Sequence, residues 1–123
     1  MHLIFGGAYQ GKTQAAAAKY DLKDDEIFTC ETVRLDPDAR CLRHLERFAK
    51  ACAEAGLDAR EEFSRQAPKA EILIADDISC GIVPIDRTER VWREQAGRLL
   101  SQLAAQADTV TRIFCGLPME LKP

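Results

Sequence analysis

The sequence holds no apolar run close to the roughly 20 residues that a membrane-crossing helix needs. It also lacks a C-x-x-C pair: the cysteines stand singly at Cys30, Cys41, Cys52, Cys80 and Cys115, an odd count without the short ligand spacing of a zinc site or the even set of a disulfide framework. Positive charge is not in excess. Lys plus Arg number 17 against 20 Asp plus Glu, a formal net charge of -3, so no global field gathers nucleic acid non-specifically. Met1-His2-Leu3-Ile4-Phe5 has neither the positive leading region nor the apolar length of a signal peptide. The expectation is a reduced, cytoplasmic chain that meets neither membrane nor nucleic acid. With 123 residues and 46% hydrophobic content there is material for one core, read as a single nucleotide-binding domain over 1–123.

What is present alternates between strand and helix signals. Leu3-Ile4-Phe5 reads as a buried strand, and the alanine-rich stretch from Gln14 to Tyr20 as a helix. Residues 26–30 carry the β-branched and aromatic content of a second strand. Asp36-Pro37 reads as a helix start, with a helix running to Gly56 and an inward stripe of Leu42, Leu45, Ala49 and Cys52. On that helix Cys41 and Cys52 would lie about 16 Å apart. Asp58 with Glu61 opens a further helix ended by Pro68, and residues 71–75 form a third strand. Asp86 with Glu89 starts the longest helix, and a fourth strand covers 109–115, broken by Gly116 and Pro118. This alternation predicts an α/β fold of P-loop NTPase-like type, a small mainly parallel sheet flanked by helices, with the loops after the strands on one rim.

Gly6-Gly7-Ala8-Tyr9-Gln10-Gly11-Lys12-Thr13 fits the phosphate-binding pattern G-x-x-x-x-G-K-[ST]. At average residue frequencies the pattern arises by chance in about 0.4% of chains this long, and here it sits between a strand and a helix. Loop amides would wrap phosphate oxygens, Lys12 would reach the β and γ phosphates, and Thr13 would offer its hydroxyl to Mg²⁺. The apolar strand at 71–75 runs into Asp76 and Asp77, carboxylates suited to the same cation. Arg87, Arg90 and Arg93 recur every three residues at the start of the long helix, where they either grip phosphate or form a solvated face with Glu89 and Glu94. His44, at the edge of the apolar stripe, reads as a packed or surface residue rather than a nucleotidyl acceptor, and Trp92 and Tyr9 as helix packing and a loop residue close to phosphate rather than as platforms for a base.

From Asp76 to Asp108 the chain resembles the C-terminal half of the adenosylcobinamide kinase / adenosylcobinamide-phosphate guanylyltransferase family. Its N-E-V-G-x-G-I-V-P, R-x-x-R-x-[FY]-R-D-x-x-G-R and L-A-x-x-A-D-x-V have counterparts at 76–84, 87–98 and 103–110. The opening 6–13 and the closing Cys115-Gly116-Leu117-Pro118 also resemble the family's. The resemblance covers about the first 20 and the last 50 residues. Between them the family carries its guanylyl-accepting histidine in a stretch rich in Arg and Pro, and Cys41-Leu42-Arg43-His44-Leu45-Glu46 does not reproduce it. Asp76 stands for the family's Asn and Asp77 for its Glu.

The resemblance implies phosphoryl transfer from ATP or GTP with Mg²⁺ to a hydroxyl of a corrinoid, in a homo-oligomer. In that scheme Lys12, Asp77 and Arg90 are catalytic, the loop 6–13 holds nucleotide, Thr13, Asp76 and Asp77 hold metal, and Arg87 and Arg93 contact phosphate or substrate. A second reading stays open, a non-catalytic nucleotide-binding paralogue that has lost the transfer apparatus.

Overall fold

The structure, a computed structural model, describes residues 1–7, 11–78 and 86–122. Six strands among them form one sheet in the order β2-β3-β4-β1-β5-β6. β1 is His2–Gly6, β2 Ile27–Thr29, β3 Cys41–Arg43, β4 Ile72–Asp76, β5 Thr109–Phe114 and β6 Leu117–Lys122. The first five run parallel, and β6 returns antiparallel against β5. The helices are α1 (Lys12–Tyr20), α2 (Leu45–Glu54), α3 (Ala59–Gln66) and α4 (Arg87–Gln106). None of the described helices is long and apolar enough to cross a membrane.

Successive side chains of a strand point to opposite faces, and β1 and β4 sit at the centre, so both are apolar on both sides. Leu3, Leu73 and Ala75 pack with Leu45, Phe48 and Cys52 of α2 and with Ala96, Leu99 and Leu103 of α4. Ile4, Ile72 and Ile74 face the other way, onto Ala16 of α1. Phe48 is fully buried and meets Phe63 of α3 edge-on, with ring centroids 6.3 Å apart. Asp58 caps α3 by accepting from the Arg60 and Glu61 amides. Asp86 caps α4 by accepting from the Glu89 amide at 2.8 Å.

Two segments differ from the sequence expectation. The helix expected from Asp36 to Gly56 starts only at Leu45, and Cys41–Arg43 is a strand that pairs with both β2 and β4. Cys41 and Leu42 have no exposed surface there, so two neighbouring ladders and full burial outweigh the helical spacing of Leu42 with Leu45. Asp36 caps no helix; its Oδ1 accepts from the Asp38 amide in a local turn. Cys41 and Cys52 therefore lie on different elements rather than along one helix face. At the other end, Cys115 and Gly116 take positive φ and turn the chain, so the segment expected to end the sheet adds β6. Pro118 is tolerated because β6 is an edge strand.

Candidate functional site

The loop from Gly6 to Thr13 leaves the end of central strand β1 and enters α1. Two of its glycines serve different needs. A Cβ at Gly6 would overlap the Ile113 carbonyl oxygen of β5, so only glycine lets these backbones approach so closely. Gly11 has φ +78 with open space around it, so its need is the left-handed backbone that starts α1. Ala8, Tyr9 and Gln10 lie outside the described residues.

Lys12, the first residue of α1, is buried, and its ammonium donates to the Gly7 carbonyl at 2.7 Å. It also pairs with Asp76 Oδ1 at 2.6 Å. The alternation along β4 explains which acid it meets. Asp76 follows Ile72 and Ile74 toward the α1 side, whereas Asp77 follows Leu73 and Ala75. Asp77 donates its amide to the Gly6 carbonyl at 2.7 Å and lines a separate cavity of about 300 Å³ with Phe5, Ala96 and Leu100. The structure thus brings Lys12, Thr13 and Asp76 into one cavity of about 510 Å³ and places Asp77 on another. Arg87 and Arg90 are exposed and Arg93 is half-buried on α4; none of them lines the 510 Å³ cavity.

Sequence reasoning missed Arg43 and Arg47 and set His44 aside as a packed or surface residue, yet all three line the same cavity. This arises because β3 is a parallel strand, and the residue after its C-terminal end falls on the same rim as the loops after β1 and β4. Recognising Cys41-Leu42 as a strand is the signal that would have placed His44 there. His44 takes φ 61, an unusual conformation for a side-chain-bearing residue, found preferentially at functional sites. Its Nδ1 lies 3.1 Å from Glu46 Oε2, while Glu46 Oε1 accepts the Asp76 amide at 2.8 Å. Donor atoms of His44, Glu46 and Asp76 all lie within 4.8 Å of one another. Trp92, read as helix packing, donates its indole N–H to the Glu46 carbonyl at 2.7 Å and so ties α4 to α2. A third cavity of about 540 Å³, lined by Glu31, Lys50 and Trp92, shares Asp76 and Arg47 with the 510 Å³ cavity. Nearby Cys30 is buried, and that burial together with the Glu46 charge pushes its thiol up to about 12.

A cavity carrying the lysine of a phosphate loop, an acid from the adjacent strand and a histidine suits transfer of phosphorus groups. A family model described as "Cobinamide kinase / cobinamide phosphate guanyltransferase" matches residues 39–121. The chain belongs to this cobinamide kinase / guanyltransferase family. The matched region contains His44, Glu46, Asp76 and α4 and begins beyond the phosphate loop. The chain is 34% identical over 58 residues to the "Bifunctional adenosylcobalamin biosynthesis protein CobU" of Salmonella typhimurium. The same identity and length relate it to the protein of that name from Escherichia coli K12. In both cases the aligned stretch covers 47% of this chain and 32% of the relative, so this member matches about a third of those proteins' length.

Proposed function

We propose that the chain binds ATP or GTP at the loop 6–13 and transfers a phosphoryl group to a hydroxyl of a corrinoid such as cobinamide. The observation that carries the proposal is the convergence of Lys12 and Asp76, 2.6 Å apart, on the cavity entered by α1. Gly6, Gly7, Ala8, Tyr9, Gln10 and Gly11 would cradle the phosphates, with Lys12 exchanging Asp76 for them. Thr13 and Asp76 offer hydroxyl and carboxylate oxygens, the hard donors that fit Mg²⁺, which when bound neutralises phosphate charge. Asp77, a further ligand candidate, would take the acceptor's proton, and Arg90 with Arg87 and Arg93 would stabilise developing charge. Since these four line no part of the loop cavity, Asp77→Asn and Arg90→Ala lower turnover only if the acceptor reaches them from the α4 side.

The test is incubation with Mg²⁺, γ-labelled ATP or GTP, and cobinamide. Label on the corrinoid supports the kinase. Nucleotide binding without turnover supports the non-catalytic paralogue, and unchanged nucleotide affinity in Lys12→Ala removes the loop from the proposal. Self-association, also proposed, is supported by the exposed Phe114, Leu117, Met119 and Leu121 on β5 and edge strand β6, and sedimentation tests it.

A second reading is favoured by the position of His44 on the loop cavity. Its Nε2 would attack the α-phosphorus of GTP, forming an N–P bond as the bond to the bridging oxygen breaks and pyrophosphate leaves with that electron pair. Label from α-labelled GTP retained on the wild-type chain and absent from His44→Ala supports this route.

A further inference from the structure

We infer that Glu46 is a positioning residue that locks His44 in its Nδ1–H tautomer and leaves Nε2 as a bare base or nucleophile on the loop cavity. The inference rests on the second reading above for what Nε2 does, and on geometry alone for how the ring is held.

A carboxylate only accepts hydrogen bonds, and both oxygens of Glu46 are engaged. Oε1 takes the Asp76 amide at 2.8 Å, and Oε2 lies 3.1 Å from Nδ1 of His44. Nδ1 is then the donor, and in a neutral ring that makes Nε2 the atom with the lone pair. The Glu46 side chain is only 5% exposed, so water cannot readily replace either partner. Its backbone is held as well, because its carbonyl accepts the Trp92 indole at 2.7 Å. One buried carboxylate thereby connects the end of β4, which carries Asp76, to the residue that follows β3. A positive charge developing on the imidazole during attack by Nε2 would be stabilised by the same carboxylate.

Glutamine separates this role from simple packing. Its amide has the shape of the carboxylate but one acceptor oxygen instead of two. The Asp76 amide is part of the strand end and keeps that oxygen, so the NH₂ group is turned on Nδ1 and the preferred tautomer inverts to Nε2–H.

Long-range ¹H–¹⁵N spectra of the ¹⁵N-histidine-labelled chain, without nucleotide and at about pH 9 where histidine is ordinarily neutral, read the protonated nitrogen directly. His44→Ala distinguishes its signals from those of His2. The expected result is Nδ1–H in the wild type and Nε2–H in Glu46→Gln. With α-labelled GTP, retention of label by Glu46→Gln should fall by orders of magnitude, as when the orienting Asp of a Ser-His-Asp triad becomes Asn (about 10⁴-fold). An Nε2–H or doubly protonated ring in the wild type overturns the inference, and so does a Glu46→Gln ring that keeps Nδ1–H. If Glu46→Gln does not fold, the wild-type spectrum decides alone. An Nδ1–H ring that never takes label leaves Glu46 its role and removes the covalent reading.

Discussion

Replacing Asp76 with alanine should destabilise the nucleotide-free chain more than replacing its partner Lys12. At 2.6 Å and an effective dielectric of about 20, the gross attraction between the two charges is ~6 kcal/mol. Desolvation takes back most of this, so the net worth of the pair is small. The two halves are unequal. The Lys12 side chain is 7% exposed and that of Asp76 is 19%, so Asp76→Ala leaves a buried ammonium with the Gly7 carbonyl but no counter-charge, at a cost of about 3–5 kcal/mol. Lys12→Ala leaves a carboxylate that water can partly reach, and the expected cost is about half as large. The Asp76 amide still bonds to Glu46 in either variant, because that contact is made by the backbone. For a chain of 123 residues, total stability is about 6–18 kcal/mol, so Asp76→Ala removes a large share. In urea, with a slope of about 1.5 kcal/mol/M, the midpoint should fall by about 2–3 M for Asp76→Ala and about 1–2 M for Lys12→Ala. The double variant should be less damaged than the sum of the two singles. The reasoning is refuted if Asp76→Ala lies within about 1 kcal/mol of wild type, or if Lys12→Ala is the more damaging change.

Gly6→Ala should cost about 1–3 kcal/mol through overlap with the Ile113 carbonyl, seen as a lower urea midpoint even before nucleotide binding is measured. Burial pushes the Asp58 carboxyl up, but the amide bonds from Arg60 and Glu61 outweigh it and hold the group below the ordinary carboxylate range. A depressed folded value means the stabilisation is present above the unfolded value of about 3.9 and is lost as pH falls through the folded one. Asp58→Ala should therefore lower Tm by about 3–5 °C at pH 7, and the gap should narrow near pH 2 in thermal scans. Burial pushes Cys41 and Cys52 up to about 11 and Cys30 up to about 12, so all three should resist iodoacetamide in the native chain while exposed Cys115 reacts. Peptide mass mapping with and without denaturant reads the difference.

The glycine loop between a strand and a helix was legible because its pattern is local: Gly6, Gly11, Lys12 and Thr13 lie within eight residues, between β1 and α1. Asp76 was legible as one of two acids ending an apolar run, but its distinction from Asp77 was not. That choice follows from the pleat of β4 and from which face of the sheet carries α1. His44 and Glu46 were obscured by a misread element, since Leu42 and Leu45 have helical spacing and only the ladders to β2 and β4 make Cys41–Arg43 extended.

Local propensity and motif order were enough to determine an α/β chain with a glycine loop between its first strand and first helix, because strand periodicity, caps and glycine geometry act over a few residues. Which acid faces Lys12, which histidine faces the cavity and what fixes Glu46 beside it depend on contacts between residues 30 or more positions apart, such as Lys12 with Asp76 and Glu46 with Asp76. Those pairings exist only once β3, β4 and β1 align in one sheet and bring their C-terminal ends to a single rim.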